Sequence, residues 1–441
     1  MVDPRPLFAV DGGRRAFRSD GHSLVPVDAC DLSPEESALF LSSRVGYLRR
    51  PFNSIVNAQD GDVLSTLPVP VSVFFPLTPL DFVGGIDSYL AGRPVSPIRL
   101  EVDPTNRCNF RCGMCYNSDS RKANPNEVSL GVYEGLVRKM RSSNDVVAVS
   151  ISGGGEPTFH PDIKKMLSFN LDLGVYTYLT TNGSQCDPGL KDMVARSVSV
   201  LTFSVPGMQD DVYHDLVRPP SGVSLDVVLG NLKDIIERRD QLGRKDEMVV
   251  GVLSLAHPLN TGHYRGFVSR LEGVGVDYIY INPVMPNLKA YGLSFSPEQS
   301  ASSRADLDHL AAACAGKPFI LRTPNPLYSD KDVIFFDPHG RKDIGFCGVS
   351  LFQPALVPSP EGGKLMACHY QPVVSDNPLL WYSDRLGFER IEDVWTRDRM
   401  DRVILNASDC SSCCAGRSLS VLDWMVCQKR EFPKSSFYLG F

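Results

Sequence analysis

Between residues 97 and 313 the chain alternates short apolar segments with longer helical ones, and this alternation constrains its fold most strongly. The apolar segments are rich in Val, Ile, Thr and Tyr, as strands are. Strands that alternate with helices predict a parallel sheet built from βα units, and therefore an α/β fold. The six predicted strands are 97–105, 146–152, 175–180, 198–205, 248–254 and 278–282, and the predicted helices are 131–141, 162–169, 225–239, 263–272 and 298–313.

Three cysteines follow the first predicted strand, with the spacing Cys-x3-Cys-x2-Cys at Cys108, Cys112 and Cys115. Loops at the carboxyl ends of barrel strands are where such sheets carry their chemistry. Three thiolates on one loop can hold three irons of a 4Fe-4S cluster and leave the fourth iron open. The alternatives are buried structural thiols or a zinc knuckle, but structural zinc normally takes four ligands, and the nearest histidine is His160. The spacing therefore favours a cluster with one open iron.

This triplet, within residues 106–116, resembles the cluster motif of the radical S-adenosylmethionine (SAM) superfamily. The resemblance implies a partial (β/α)6 TIM-like barrel and SAM bound at the open iron. It also implies reductive cleavage of SAM to a 5′-deoxyadenosyl radical, which takes a hydrogen atom from the substrate. An external electron donor such as flavodoxin or ferredoxin would supply the electron.

A glycine-rich turn follows the second predicted strand and resembles the Gly-Gly-Glu-Pro motif of the same family. Glycines allow backbone to approach a ligand closely. The resemblance implies that the Glu side chain accepts a hydrogen bond from the ammonium group of SAM. The alternative is an ordinary glycine-rich turn between a strand and a helix. The matching residues are Gly154, Gly155, Glu156 and Pro157.

Three more residues match positions near SAM in the family, and a fourth position departs from its pattern. Asn182 lies in a Thr-Asn-Gly turn, and Ser204 stands where members often place a hydroxyl for the ribose. Arg218 resembles an arginine that reaches the SAM carboxylate, since a guanidinium fork binds both carboxylate oxygens. Met114 replaces the aromatic residue that many members place beside the adenine. The alternatives are that Asn182 and Ser204 are ordinary turn residues and that Arg218 is a surface charge.

The cysteines near the carboxyl terminus resemble the twitch or SPASM extension of radical SAM enzymes, which holds auxiliary iron-sulfur clusters. The resemblance implies ligation by Cys347, Cys368, Cys410 and Cys413, with Cys414 or Cys427 as possible replacements. These six cysteines are too few for two clusters with four cysteine ligands each, so one auxiliary 4Fe-4S cluster is expected. A zinc ribbon is the alternative.

Cys186 follows the Thr-Asn-Gly turn at the predicted mouth of the barrel, where a thiol could return a hydrogen atom to a substrate radical. We treat it as a candidate catalytic residue, with a buried inert thiol as the commoner alternative.

The length of 441 residues accommodates an accessory domain (1–95), a partial barrel (96–315) and a small cluster-binding domain (316–441). A net charge of −6 indicates no basic surface for nucleic acid. The amino terminus lacks the features of a signal peptide. Four prolines interrupt the most apolar stretch, 64–82, so no membrane association is expected. A cytoplasmic enzyme is the expectation.

Residues 7–10, 15–18 and 24–27 are predicted as three short strands, with a helix beginning near Ser33, in an α+β accessory domain. This order loosely resembles the winged domains with which peptide-modifying radical SAM enzymes hold a leader peptide. We expect a small-molecule substrate, a sugar, aminocyclitol or similar natural-product intermediate, which the enzyme oxidises or epimerises. A maturase acting on a ribosomally made peptide is the alternative, and an iron-sulfur redox sensor is a weaker one.

Overall fold

The computed structural model describes residues 97, 99–115, 125–143, 147–245, 247–283, 295–314, 317–322, 354–360 and 362–366, and the backbone of five strands nearer the amino terminus. Of those five, β1 (Leu7–Val10), β2 (Arg15–Ser19) and β3 (Leu24–Val27) form an antiparallel sheet in that order. The other two, β4 (Ser54–Val56) and β5 (Val63–Thr66), pair antiparallel. The three predicted amino-terminal strands are therefore confirmed, whereas the helix expected near Ser33 lies outside the described residues.

A second sheet contains the site. It comprises β6 (Arg99–Val102), β7 (Ala148–Ile151), β8 (Tyr176–Thr181), β9 (Val200–Ser204), β10 (Val249–Ala256), β11 (Tyr278–Pro283), β12 (Ile320–Arg322), β13 (Ala355–Val357) and β14 (Lys364–Met366). The spatial order is β12-β11-β10-β9-β8-β7-β6-β13-β14. Strands β6 to β12 pair in parallel with their neighbours in chain order, as βα units require.

All six predicted strands are present, and the partial barrel is confirmed. Three further strands join its ends. The strand β12 extends the parallel run beside β11, and the hairpin β13–β14 pairs with β6 through Ala355 and Glu101. The sheet therefore continues on both sides of the six strands that the sequence pattern indicates.

The described helices are α1 (Leu130–Ser143), α2 (Ile163–Asp172), α3 (Pro188–Ser197), α4 (Asp210–Val217), α5 (Leu225–Gln241), α6 (Tyr264–Val274) and α7 (Pro297–Ala313). Several begin at side-chain caps. Asp187 accepts from the backbone of Leu190 at the start of α3, and Ser224 accepts from Val227 at the start of α5. The five predicted helices are confirmed, but the sequence analysis missed α3 and α4.

The two faces of the parallel sheet differ in chemistry. One face packs on the helices: Thr177 of β8 hydrogen-bonds to Asn170 of α2, which accepts from Tyr133 of α1. Most of the other side chains on that face are apolar and buried: Leu100, Val102, Val149, Ile151, Leu179, Leu201, Phe203, Val250, Val252, Ile279 and Ile281. The opposite face carries polar side chains, with Arg99 paired to Glu101 at 2.6 Å and lying 5.2 Å above the ring of Tyr178. The apolar face is therefore the core, and the polar face is the barrel interior.

Within the described residues, no helix combines the length and the apolar character that a membrane-spanning segment needs.

Candidate active site at the carboxyl edge of the sheet

The cysteine loop leaves β6 and is held by the segment that precedes α1. The backbone of Val128 donates to the carbonyl of Pro104 at 2.8 Å, and the backbone of Asn106 donates to that of Asn126 at 3.3 Å. The Arg107 Nε donates to Glu127 at 2.7 Å. These contacts fix the path of the loop before its first cysteine, so the position of Cys108 depends on β6 and residues 126–128 together.

The cysteine loop is also hydrogen-bonded to the end of α4. Cys108, Cys112 and Cys115 are half-buried and form no disulfide bonds. On either side of Cys112, the amides of Arg111 and Gly113 donate to the carbonyls of Val217 and Leu216 at 3.1 and 3.0 Å. The structure thus brings the three predicted ligands onto one anchored loop.

Among the described residues, no group of three or more His, Cys, Asp or Glu side chains is gathered tightly enough to hold a single metal ion.

Arg218 and Met114 both lie at this loop. Arg218 follows α4 in the left-handed conformation, with φ 46°, and its backbone donates to the carbonyl of His214. The side chain passes close to Gly113, because a Cβ placed on that glycine would be 3.4 Å from the Arg218 Nη2. Met114 is half-buried against the core. The structure therefore brings a cation and a thioether beside the cysteines.

The Gly-Gly-Glu-Pro turn packs directly on the cysteine loop. Gly154 has φ 61°, which favours glycine, and a Cβ there would lie 2.8 Å from the Asn106 side chain. At Gly155 an added Cβ would lie 2.0 Å from the carbonyl oxygen of Arg107. The Gly155 amide donates to Thr105 at 2.7 Å, and the Glu156 amide donates to Arg107 at 2.8 Å. Both glycines are required because two backbones pass each other here.

The Glu156 carboxylate is buried and joins the two turns. Its Oε1 accepts from the Thr158 backbone at 3.1 Å, the Thr158 hydroxyl at 2.8 Å and the Thr181 hydroxyl at 2.6 Å. Its Oε2 accepts from the Asn182 backbone at 2.7 Å. Burial raises the pKa of Glu156, and these hydrogen bonds oppose the rise. The side chain also caps the short 3₁₀ helix that begins at Pro157. Its contact with the SAM ammonium group remains a prediction.

Asn182 connects the Thr-Asn-Gly turn to the cysteine loop through its side chain. Its Nδ2 donates to the Asn109 Oδ1 at 3.0 Å, while its Oδ1 accepts from the Ser184 hydroxyl at 2.6 Å. The Asn109 Nδ2 donates to the Ser184 Oγ at 2.8 Å and so closes a triangle. The sequence analysis missed Asn109 and Ser184. The position of Asn109 directly after the first cysteine was the available signal.

Ser204 and Cys186 lie at the same carboxyl edge. Ser204 is the last residue of β9 and is half-buried. The Cys186 thiol lies 3.9 Å from the carbonyl of Gly183. Burial first, and then the charge of Glu156, raises the pKa of Cys186 to about 12, so the group stays a protonated thiol near neutral pH. A protonated thiol is the form that can give up a hydrogen atom. The four predicted auxiliary ligands, Cys347, Cys368, Cys410 and Cys413, lie outside the described residues.

The residues at this edge fit an iron-sulfur cluster with SAM beside it. The donor set is three cysteines on one anchored loop, none of them in a disulfide bond, which suits a cluster with one open iron. The Arg218 guanidinium beside Gly113 suits a carboxylate. The buried hydroxyl of Tyr213, on the helix that holds the loop, has no hydrogen-bond partner within the part of the chain that the structure describes.

Comparisons with known proteins agree with this geometry. Residues 102–252 match the family described as the Radical SAM superfamily. A stretch of 151 residues is 29% identical to a probable GTP 3′,8-cyclase of Thermococcus kodakarensis, covering 33% of this chain and 45% of the relative. A stretch of 146 residues is 28% identical to dTDP-4-amino-4,6-dideoxy-D-glucose ammonia-lyase of Streptomyces venezuelae, covering 31% and 29%. The chain thus matches less than half the length of either relative.

One structural comparison extends over nearly the whole chain. The crystal structure of Streptococcus suis SuiB bound to precursor peptide SuiA superposes with a TM-score of 0.53 at 14% identity, covering 99% of this chain and 98% of that one. At this identity the likeness concerns the fold alone.

Proposed function

This chain contains a radical SAM domain, and from that premise we propose that it is an enzyme that reductively cleaves SAM and abstracts a hydrogen atom from its substrate. The observation that carries the proposal is the cysteine loop, with three cysteines anchored at the carboxyl edge of a parallel sheet. When bound there, a 4Fe-4S cluster supplies the electron that converts SAM to methionine and a 5′-deoxyadenosyl radical.

The protein's own part is to hold and orient. Cys108, Cys112 and Cys115 are the ligands for three irons. Arg218, beside Gly113, is placed to pair with the SAM carboxylate. The side-chain amide of Asn182 donates to that of Asn109, and its backbone donates to Glu156, so hydrogen bonds connect the three turns around the site. Such connections favour abstraction at one chosen substrate position.

As the second metal site we propose one auxiliary 4Fe-4S cluster held by Cys347, Cys368, Cys410 and Cys413. The support is the cysteine count in the sequence. Anaerobically reconstituted protein is then expected to hold about eight irons per chain, from two four-iron clusters. About twelve irons would contradict a single auxiliary cluster, and about four irons with one zinc would indicate a zinc ribbon.

For the substrate we propose a ribosomally made peptide, which reverses the order of preference drawn from the sequence. Two observations support the reversal. The antiparallel sheet β1-β2-β3 occurs where the sequence resembles a leader-binding domain. The chain also shares its fold, over nearly its full length, with a protein whose crystal structure contains a precursor peptide. In the peptide case the reaction is oxidation or epimerisation of a residue.

A sugar or aminocyclitol remains the second candidate, and a specific observation favours it. One relative is named as a lyase of a dTDP-linked amino sugar, and its matched stretch includes about a third of this chain. The polar interior of the barrel, with Glu101 paired to Arg99, suits a hydroxyl-rich or amine-bearing small molecule equally well.

The discriminating experiment uses the full chain, reconstituted anaerobically with iron, sulfide, SAM and dithionite. A precursor peptide encoded beside the gene and a panel of nucleotide-linked amino sugars are tested separately. We expect the peptide to increase 5′-deoxyadenosine formation and to change by two mass units on oxidation, or to gain one deuterium in deuterated water on epimerisation. Stimulation by a sugar, with the peptide unchanged, would favour the second candidate. No 5′-deoxyadenosine under any condition would contradict the enzyme assignment.

A further inference from the structure

The loop between β9 and α4, residues 205–209, connects two parts of the candidate site. It begins after Ser204, the last residue of β9. It ends at α4, whose last carbonyls, those of Leu216 and Val217, accept from amides of the cysteine loop, and Arg218 follows directly. The path of this β9–α4 loop therefore determines where a predicted ribose hydroxyl partner and a predicted carboxylate partner of SAM lie relative to each other.

Asn260 holds the β9–α4 loop from the side of β10. It ends the short 3₁₀ helix Pro258–Asn260, and its exposed fraction is 0%. Its Nδ2 donates to the carbonyl of Pro206 at 2.7 Å and to that of Leu255 at 2.8 Å. Its Oδ1 accepts from the backbone amide of Met208 at 3.0 Å. One buried side chain thus binds the β9–α4 loop at two points and the end of β10 at a third.

The carbonyl of Pro206 accepts from a second side chain as well. The Nε2 of His257, which is also fully buried, lies 3.2 Å from that carbonyl and donates to it, since a carbonyl oxygen only accepts. The backbone of Val205 donates to the carbonyl of Leu253 on β10 at 2.8 Å. The start of the β9–α4 loop is therefore bound to β10 and to the segment that follows it.

The opposite side of the β9–α4 loop packs on the first turns of α4. A Cβ added to Gly207 would lie 2.5 Å from the backbone nitrogen and Cα of Tyr213 and 2.8 Å from the carbonyl carbon of Val212. Glycine is required here because two backbones are in direct contact. Met208 is buried at 1% exposure. With packing this close, a shift of the β9–α4 loop displaces α4 as well.

The three hydrogen bonds of Asn260 serve backbone groups that need partners. Buried backbone amides and carbonyls are costly to leave unpaired. Without the side chain of Asn260, the amide of Met208 loses an acceptor, and the carbonyls of Pro206 and Leu255 each lose a donor. The β9–α4 loop then gains free energy by moving toward other partners, and α4 moves with it.

We propose that Asn260 is a positioning residue for SAM binding, which acts by fixing the β9–α4 loop and, through it, Ser204 and the end of α4 that precedes Arg218. This inference rests on the proposed function, in which Arg218 pairs with the SAM carboxylate. The hydrogen-bond partners of Asn260 are backbone groups of the protein, so its effect on SAM is indirect. Its removal weakens SAM binding while the three cysteines stay available for iron.

The test compares the full chain with Asn260→Ala and with the matched control Asn170→Ala. Asn170 has the same exposed fraction of 0% and also uses its side-chain amide as donor and acceptor, toward Thr177 and Tyr133. These contacts lie in the helix layer behind the sheet. Both substitutions should lower the urea midpoint, because each leaves buried polar groups unpaired. A difference between the two variants at the site is therefore not an effect of stability alone.

Hydrogen–deuterium exchange of cluster-free protein measures the position of the loops without SAM or iron. In Asn260→Ala the amides within 206–209 should exchange about fivefold faster or more, as expected for a lost hydrogen bond, and those within 110–113 should also exchange faster. In Asn170→Ala both segments should keep their wild-type rates. Wild-type exchange of both segments in Asn260→Ala would overturn the inference.

Equilibrium titration of the anaerobically iron-loaded proteins with SAM measures the binding itself. For Asn260→Ala we expect unchanged iron content and a Kd for SAM that is higher by about tenfold. In assays of 5′-deoxyadenosine formation, KM for SAM should rise more than kcat falls. For Asn170→Ala we expect the wild-type Kd. An equal rise of Kd in both variants would assign the effect to general stability and refute a positioning role.

The outcomes separate the two proposals. A wild-type Kd in iron-loaded Asn260→Ala overturns the positioning role and leaves the proposed function intact. A wild-type protein that binds no SAM after iron loading overturns the proposed function and this inference with it. If Asn260→Ala does not fold, Asn260→Asp keeps the volume and the acceptor for Met208 but places a second acceptor opposite the carbonyls of Pro206 and Leu255. SAM binding is again expected to weaken, and wild-type affinity in Asn260→Asp refutes the inference.

Discussion

The carboxyl edge of the parallel sheet and the helix layer behind it are held together by different kinds of contact. At the edge, buried polar groups bind one another, backbones pass within contact distance, and glycine is required at Gly154 and Gly155. In the helix layer most buried contacts are apolar, and a glycine such as Gly230 of α5 has open space where a side chain would stand. The edge therefore specifies geometry, whereas the helix layer supplies stability.

This difference predicts where the molecule tolerates change. Apolar packing allows substitutions of similar volume, because neighbouring side chains adjust. A network of short hydrogen bonds between turns does not adjust in this way, since each lost partner leaves a buried group unpaired. The same kind of substitution should therefore change stability by different amounts at the edge and in the helix layer. In one case the two changes should have opposite signs.

The largest effect is expected for glycine-to-alanine substitutions. Gly155→Ala places a Cβ 2.0 Å from the Arg107 carbonyl and should destabilise the protein by about 3 kcal/mol, with loss of iron from the cysteine loop. The control Gly230→Ala, with nothing within 4 Å in a helix, should stabilise it by about 0.5–1 kcal/mol. Urea unfolding measures both. Equal effects of the two substitutions would remove the contrast between edge and helix layer.

A pH effect is expected from His257, which follows β10 at the same edge. Burial lowers its pKa from 6.5 to about 4, and its Nδ1 has no partner among the described residues. Above pH 6.5 the residue is neutral in both folded and unfolded chains. As the pH falls from 6.5 toward 4, the unfolded chain binds a proton that the folded chain excludes, so about 2–3 kcal/mol of stability is lost.

His257→Gln should flatten this decline in stability measured between pH 7 and 4, while His309→Gln, on the exposed side of α7, should not. A decline that is as steep in His257→Gln as in the wild type would assign the pH dependence to other groups.

A smaller effect is expected for Glu156→Gln. An amide can accept at the Oε1 position, but its NH₂ group then faces the Asn182 amide, which loses its acceptor. The expected cost is about 2 kcal/mol. Glu237→Gln, an exposed pair partner of Lys233 in α5, should change stability by less than about 0.5 kcal/mol. Thermal unfolding compares the two, and a neutral Glu156→Gln would mean that the turns are not held by this carboxylate.

The local sequence pattern was sufficient to predict the six central strands. Their alternate residues are buried against the helices, so the sequence shows the two-residue apolar period of a strand. It was not sufficient for α3 and α4. The signal for α3 was present, since Asp187 caps it and Pro188 begins it. The short α4 contains eight residues and gave no such signal. The pairing of β13 with β6 joins residues some 250 apart in the chain, and no local pattern reports such a contact.

The candidate site was partly predictable for a related reason. The cysteines and the Gly-Gly-Glu-Pro turn are contiguous motifs, so the sequence displays them together. Asn109 and Ser184 contribute through contacts between separate loops, and only the folded chain brings Ser184 and Asn182 to the cysteine loop. The roles of Cys186 and of the four carboxyl-terminal cysteines remain predictions.

The most direct test of the central claim is the replacement of Cys108, Cys112 and Cys115 together by alanine, with Cys314→Ala as the control, since Cys314 is a free cysteine at the end of α7. Both proteins are reconstituted anaerobically and supplied with SAM and dithionite. The triple variant should form no 5′-deoxyadenosine and retain about four of about eight irons, those of the auxiliary cluster. The control should match the wild type. Undiminished 5′-deoxyadenosine from the triple variant would contradict the assignment of this edge as a SAM-cleaving site.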